Sequence, residues 1–240
     1  MPEVAARRGE FALWIREAVG DGWTGAWREH DLRSDAAPPA PGDVRGFIIT
    51  GSSSSVTDRH PWMLRAEELV RAIAASKTPL FGICFGHQLV AQALGGLVAK
   101  NPRGREIGTV RCRHHADDAF YAGVPNDFDV NTTHVDSVVR LPSGARALAS
   151  TALEPVAAFA IGERIRCVQF HPEIDGDAMR GYVRARAHLI RAEGGDAEAI
   201  HAGATDAPHA ARLLRNFAER CARGSMIVPT WTTSAADTTS

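Results

Sequence analysis

The sequence predicts an α/β fold: a mostly parallel sheet flanked by helices on both faces, with a small antiparallel insertion. Three observations carry this. Apolar runs alternate with helical patterns up to residue 96, residues 97–169 are mostly short extended runs, and helical spacing returns beyond residue 175. Composition agrees, since 240 residues with 45% hydrophobic and 23% charged side chains describe a globular chain able to bury a core. A formal net charge of −1 gives no electrostatic case for nucleic acid or an anionic membrane surface as partner. No run approaches the ~18 apolar residues of a membrane span, and MPEVAARRGEF lacks the apolar core of a secretory signal. Cys84, Cys112, Cys167 and Cys221 are widely spaced with no CxxC pair, which predicts reduced thiols and a cytoplasmic location.

Each element has a local reason. Phe11, Trp14, Ile15, Ala18 and Val19 fall at helical spacing, and Gly20 and Gly22 end the pattern. Residues 26–32 are read as a possible strand and the Pro-rich residues 34–43 as a surface connection. VRGFIIT (44–50) is β-branched and apolar enough for a buried parallel strand. A helix is predicted within 58–76, a short strand at TPLFGI (78–83), and a helix over 85–96 that Gly95 and Gly96 end. GTVRCR, FDVNTTH, ARALAS, PVAAFAI and RIRCVQF read as strands separated by turn residues. Helices are predicted near 175–193 and 207–222. One domain is expected over residues 1–223, with a flexible Ser/Thr-rich tail at 224–240.

The stretch LFGICFGHQL (80–89) contains Gly-x-Cys-x-Gly where a strand gives way to a helix. A nucleophile on such a turn has strained backbone angles, and flanking glycines let strand and helix approach closely. At the start of a helix the Cys84 thiol feels the positive end of the macrodipole, which favours thiolate. The backbone N–H of Phe85 would face an oxyanion formed on an attacked carbonyl. A buried packing cysteine fits the same stretch, and that reading is assigned to Cys112 and Cys167. A thiolate needs a base. His171 in VQFHPEI follows an apolar strand end, and Glu173 lies two residues on, across Pro172. In an extended segment those two side chains point the same way, so the carboxylate can orient the imidazole. Cys112, His114 and His115 are a weak metal alternative, lacking a second ligand pair. TGSSSSV (50–56) is a loop of small residues whose N–H groups can face an anion. It is no P-loop, because no GK[ST] follows, and no nucleotide-binding fingerprint occurs in the chain.

GSSSSV, GICFGHQ and HPE, in that order, resemble the G-[GS]-P-x-S-V, G-x-C-x-G-x-Q and H-P-E motifs of the class I glutamine amidotransferases, over roughly residues 44–175. The resemblance implies a flavodoxin-like α/β fold. It implies Cys84 as nucleophile, His171 as general base and acid, and Glu173 as its orienting partner. The N–H groups of Ser52 and Phe85 would form the oxyanion hole. Gln88 would contact the substrate, together with His134 and Asp136 of NTTHVDSV, where Thr133 replaces the family's serine. No metal or other cofactor is implied. The substrate would be glutamine or another γ-glutamyl small molecule, and the ammonia would go to a separate synthase subunit. HAARLLRNFAERC (209–221) resembles the stand-alone branch similar to the glutaminase half of GMP synthase.

The chain departs from the family at two places. Serines stand at 52 and 53, where glycine and proline are common, which predicts an oxyanion hole that is imperfect or completed by a partner. The family opens on a strand, whereas this chain begins almost directly with a helix, so either its start is truncated or another segment covers that sheet position. A γ-glutamyl peptidase and a catalytically silent binding subunit stay open as alternatives. A hydrolase of the dienelactone type ranks low, because there the acid precedes the histidine.

Overall fold

The computed structural model describes residues 11–224, so MPEVAARR and nearly all of the expected tail lie outside the described residues. Helix α1 (Phe11–Val19) is followed by an irregular segment to strand β1 (Phe47–Ile49). Then come α2 (Pro61–Ser76), β2 (Leu80–Ile83), α3 (Phe85–Ala93), β3 (Leu97–Lys100), β4 (Glu106–His114), β5 (Asp127–His134) and β6 (Asp136–Arg140). β7 (Ala145–Ser150), β8 (Ala158–Ile161) and β9 (Ile165–Val168) precede the helices α4 (Gly176–Ala192), α5 (Ala197–Ala202) and α6 (Pro208–Arg223).

The main sheet has seven strands in the order β1-β2-β9-β8-β7-β4-β5. β1, β2 and β9 run parallel, and beyond β9 neighbouring strands are antiparallel. β3 and β6 form a separate antiparallel pair. Alternation along the central strands feeds two cores. Leu80, Ile165 and Cys167 face α2 and α3, among Met63, Val70, Ile73, Leu89 and Phe159. Phe81, Ile83 and Val168 face α1 and α6, among Phe120, Leu148, Leu213 and Phe217. Each large apolar side chain buried this way stabilises the fold by about 1.5–3 kcal/mol. A third cluster packs α4 and α5 on Trp14 and Ile107, through Ile174, Met179 and Tyr182. Helices therefore cover both faces. Among the described residues no helix is long and apolar enough to cross a membrane.

Three expectations need correction. Residues 26–32 form no strand, and the sheet ends at β1. That segment crosses α1 instead, where Arg16 pairs with Glu29 and stands 5.7 Å from the Trp27 ring centre. β1 is shorter than the apolar run around it and is an edge strand, with only Ile49 of its three residues buried. The β3–β6 pair and the short α5 were not foreseen.

Candidate active site

β2 ends at Ile83 and α3 starts at Phe85, so Cys84 alone makes the turn between them. Its backbone has φ 50° and ψ −99°, a strained conformation for a residue with a side chain. The strain is held by neighbours: Cys84 N–H donates to Val168 O at 2.9 Å, and Cys84 O accepts from Gln88 N–H at 3.1 Å. The flanking glycines are required for space. A Cβ on Gly82 would sit 2.8 Å from the Gly86 carbonyl, and one on Gly86 only 2.2 Å from Ile49 O. As first residue of α3, Phe85 presents an N–H with no partner inside the helix. Its ring packs on Trp62, 5.5 Å between centres.

Cys84, His171 and Glu173 come together, all buried. His171 Nδ1 lies 2.7 Å from Glu173 Oε1, and the same ring is hydrogen-bonded to the Cys84 sulfur. With Nδ1 committed to the carboxylate, Nε2 is the ring atom left for the thiol. The two side chains meet across a turn, closed by Ile174 N–H donating to His171 O at 3.3 Å, not along an extended segment as expected. Burial disfavours a charged thiol, but the adjacent His171 charge and hydrogen bond outweigh it, with His134 adding, and hold the Cys84 pKa below its ordinary value. Burial likewise opposes charge on His171, yet the Glu173 carboxylate and the Cys84 sulfur push its pKa up to about 10. Both shifts favour a thiolate–imidazolium pair, the form in which a cysteine attacks carbonyl carbon.

The 50–56 loop lies against this pair. A Cβ on Gly51 would be 2.7 Å from His171 Cε1, so the bare glycine lets the loop touch the imidazole. Ser52 is exposed, and its hydroxyl accepts from Ser54 N–H at 3.2 Å. Left-handed φ among described non-glycine residues is confined to Arg59, Lys77 and Cys84, so serine at 52 carries no such strain. The loop then closes in the 3-10 turn Val56–Asp58, where Ser55 and Asp58 cap each other.

The remaining predicted residues lie on the β5–β6 hairpin and α3. The Gln88 amide donates to Asp136 O at 2.9 Å and to Gln169 Oε1 at 3.0 Å. His134 is enclosed: Nδ1 lies 3.0 Å from Asp136 O and Nε2 3.1 Å from Glu106 Oε2. Both ring nitrogens face acceptors, so the ring carries both protons. Burial works against that charge, and Glu106, the Cys84 sulfur and Glu154 raise the His134 pKa above its usual value. Asp136 turns its carboxylate to the Ser55 hydroxyl. These side chains are thus bonded to protein groups around the site.

Sequence reasoning missed several supports. Glu106 and Glu154 are buried carboxylates beside His134, taking hydroxyl donors from Thr151 and Ser137 respectively. The Asn131 side-chain amide donates to the carbonyls of Ile174 (2.8 Å) and Thr205 (3.1 Å), and the Asn131 backbone carbonyl accepts from His171 N–H at 2.8 Å. None of these has a spacing that marks it, and their burial is a property of the folded chain. The other thiols are packing residues, with burial raising the pKa of Cys112 and Cys167 and pushing Cys221 up to about 12. His114 stacks on Tyr121, 4.2 Å between ring centres. Among the described residues no cluster of three or more His, Cys, Asp or Glu is placed to hold a metal. His87, on α3, lies edge-on to Phe159 at 4.7 Å, and burial drives its pKa down to about 3.

The model of the family "Glutamine amidotransferase class-I" matches residues 29–186. Gamma-glutamyl peptidase 4 of Arabidopsis thaliana is 32% identical over 139 residues, covering 56% of this chain and 55% of that protein. The GMP synthase of Cytophaga hutchinsonii is 38% identical over 141 residues, covering 58% of this chain but 26% of that protein. The chain therefore spans about half the length of the one relative and about a quarter of the other. Among solved structures, a glutamine amidotransferase of Methylobacillus flagellatus superposes with a TM-score of 0.63 at 25% identity, covering 80% of this chain and 81% of that one. One from Thermotoga maritima gives 0.62 at 23% identity, over 72% and 77%, a likeness of fold.

Proposed function

The chain belongs to the class I glutamine amidotransferase family, and from that premise we propose that it hydrolyses the glutamine side-chain amide through a Cys84 thioester, giving glutamate and ammonia. One observation carries the proposal. Cys84 sits on a strained strand-to-helix turn, hydrogen-bonded to an imidazole that Glu173 holds at 2.7 Å.

In the proposed reaction the Cys84 thiolate attacks the amide carbon, and the carbonyl electrons move onto oxygen. The N–H groups of Phe85 and Ser52 hold that oxyanion; a single such donor is worth about 10²–10³-fold in rate. The C–N bond breaks as His171 gives its proton to the departing nitrogen. His171 then takes a proton from water, whose oxygen attacks the thioester carbon, and the thiolate leaves. Glu173 stabilises the imidazolium in both steps. Gln88, His134 and Asp136 shape the substrate side of the site. The ammonia would pass to a synthase carried on a separate chain.

A second reading has support of its own. The match to gamma-glutamyl peptidase 4 covers 55% of that protein, against 26% for the GMP synthase, so a γ-glutamyl peptide is the other candidate donor. The chemistry is the same with an amino-acid amine leaving in place of ammonia. A panel of glutamine, γ-glutamyl dipeptides and simple esters, with Cys84→Ala as control, separates the two. Release of glutamate from glutamine alone supports the first reading, from dipeptides alone the second, and ester turnover alone contradicts both.

A further inference from the structure

The 50–56 loop is fastened at two points. At one end Gly51 abuts the edge of the His171 ring, where even a Cβ would come within 2.7 Å. At the other, the Ser55 hydroxyl donates to Asp136 Oδ2 on the β5–β6 hairpin. Ser52 lies between these anchors. Asp136 is in turn a hub: its backbone carbonyl accepts from Gln88 Nε2 at 2.9 Å and from His134 Nδ1 at 3.0 Å. Gln88 is one turn along α3 from Cys84, and His134 is pinned by the buried Glu106. A continuous set of hydrogen bonds thus runs from the helix of the cysteine, through Asp136, to the loop that faces it.

We propose that the Ser55–Asp136 hydrogen bond is a latch that holds the 50–56 loop at the depth where the Ser52 N–H can serve the oxyanion. The inference rests on the thioester reading for its catalytic consequence. Local chemistry makes Ser55 suited to the task. Its hydroxyl accepts from Thr57 N–H at 3.2 Å, and its own N–H donates to Asp58 Oδ2 at 3.3 Å, so the residue is held from three sides. The turn behind it is seated by Val56, wholly buried, whose carbonyl accepts from Gln92 Nε2 at 3.3 Å. Loops of serines and glycine have many backbone states to lose on ordering. One charge-assisted hydrogen bond to a carboxylate is strong enough to select among them. Ser55 and Asp136 are positioning residues here, acting through the loop backbone.

The test compares two reactions of Cys84. Acylation by a γ-glutamyl anilide develops an oxyanion, whereas alkylation by iodoacetamide displaces iodide from a saturated carbon and needs no hole. Ser55→Ala and Asp136→Ala should each slow acylation by roughly 10- to 100-fold, the lower range of a lost oxyanion donor. Alkylation should stay near wild type in both variants, and in Ser55→Ala so should the KM for the anilide. The double variant should be no slower than either single one, and Ser55→Thr, which keeps the hydroxyl, should recover most of the rate. Amide hydrogen exchange across residues 50–58 should quicken equally in both single variants, a readout that stands even if the wild-type protein acylates none of the anilides tried. Unchanged exchange in either variant overturns the latch. So does an Asp136→Ala defect confined to KM with Ser55→Ala silent, which would make the carboxylate a substrate contact. Loss of alkylation along with acylation would place the damage in the thiol, and it too overturns the latch.

Discussion

His171 Nδ1 lies 2.7 Å from Glu173 Oε1, and both side chains are buried behind the cysteine they serve. That contact fixes which ring nitrogen faces Cys84 and keeps the imidazole charged. The sign of the effect on the thiol follows. With His171 replaced by Ala, the favourable charge is gone and burial remains, so the Cys84 pKa should rise above its ordinary 9.0 from a value held below it. The pH profile of iodoacetamide alkylation measures this directly. In the wild type the rate should level off below pH 9.0, and in His171→Ala it should still be climbing there.

Activity should also fall on the alkaline side. In the proposed reaction the His171 imidazolium donates the proton to the leaving nitrogen, and its pKa is pushed up to about 10. Hydrolysis should therefore rise as the Cys84 thiol ionises and decline as pH passes about 10, the two limbs belonging to the coupled pair. Glu173→Gln should move the alkaline limb to lower pH, because the carboxylate is what raises the His171 value against burial.

Gly86 and Gly51 separate stability from activity. A Cβ on Gly86 would stand 2.2 Å from Ile49 O, with only backbone to move, so Gly86→Ala should cost about 3 kcal/mol or more in denaturant melts. At Gly51 the obstacle is the His171 ring at 2.7 Å, which can shift. Gly51→Ala should leave the melting curve within about 1 kcal/mol of wild type while lowering kcat, as the displaced ring loses its aim at Cys84.

His134 faces the buried carboxylate of Glu106 at 3.1 Å, with side-chain exposures of 1% and 4%. Removing the cation leaves charge uncompensated in the interior, so His134→Ala should destabilise by about 3–5 kcal/mol. His134→Ala combined with Glu106→Gln should recover part of that loss in the same melts, since it removes the orphaned charge.

Much of this was legible in the sequence, and the gaps have physical causes. Gly-x-Cys-x-Gly exposed the elbow because steric demand leaves only glycine at 82 and 86. HPE was readable because the partners are two residues apart, although they meet across a turn and not along a strand. The hydrogen bonds that hold Gln88, His134 and Asp136, to Asp136 O, Glu106 and Ser55, were not legible. Those bonds join residues up to 81 positions apart, and no local pattern encodes such pairing. The strand expected at 26–32 failed for a related reason. The segment packs across α1, where Arg16 meets Glu29 and Trp27, and pairs with no strand of the sheet.

The most direct test of the central claim is a peptide-mapped mass measurement after acid quench of the protein mixed with glutamine or a γ-glutamyl dipeptide. A γ-glutamyl mass increase should appear on the peptide carrying Cys84, absent from Cys84→Ala, with glutamate release lost in parallel. Hydrolysis that survives Cys84→Ala, or an adduct mapped to another residue, would contradict it. So would the absence of both turnover and adduct when cell extract is added to supply a partner.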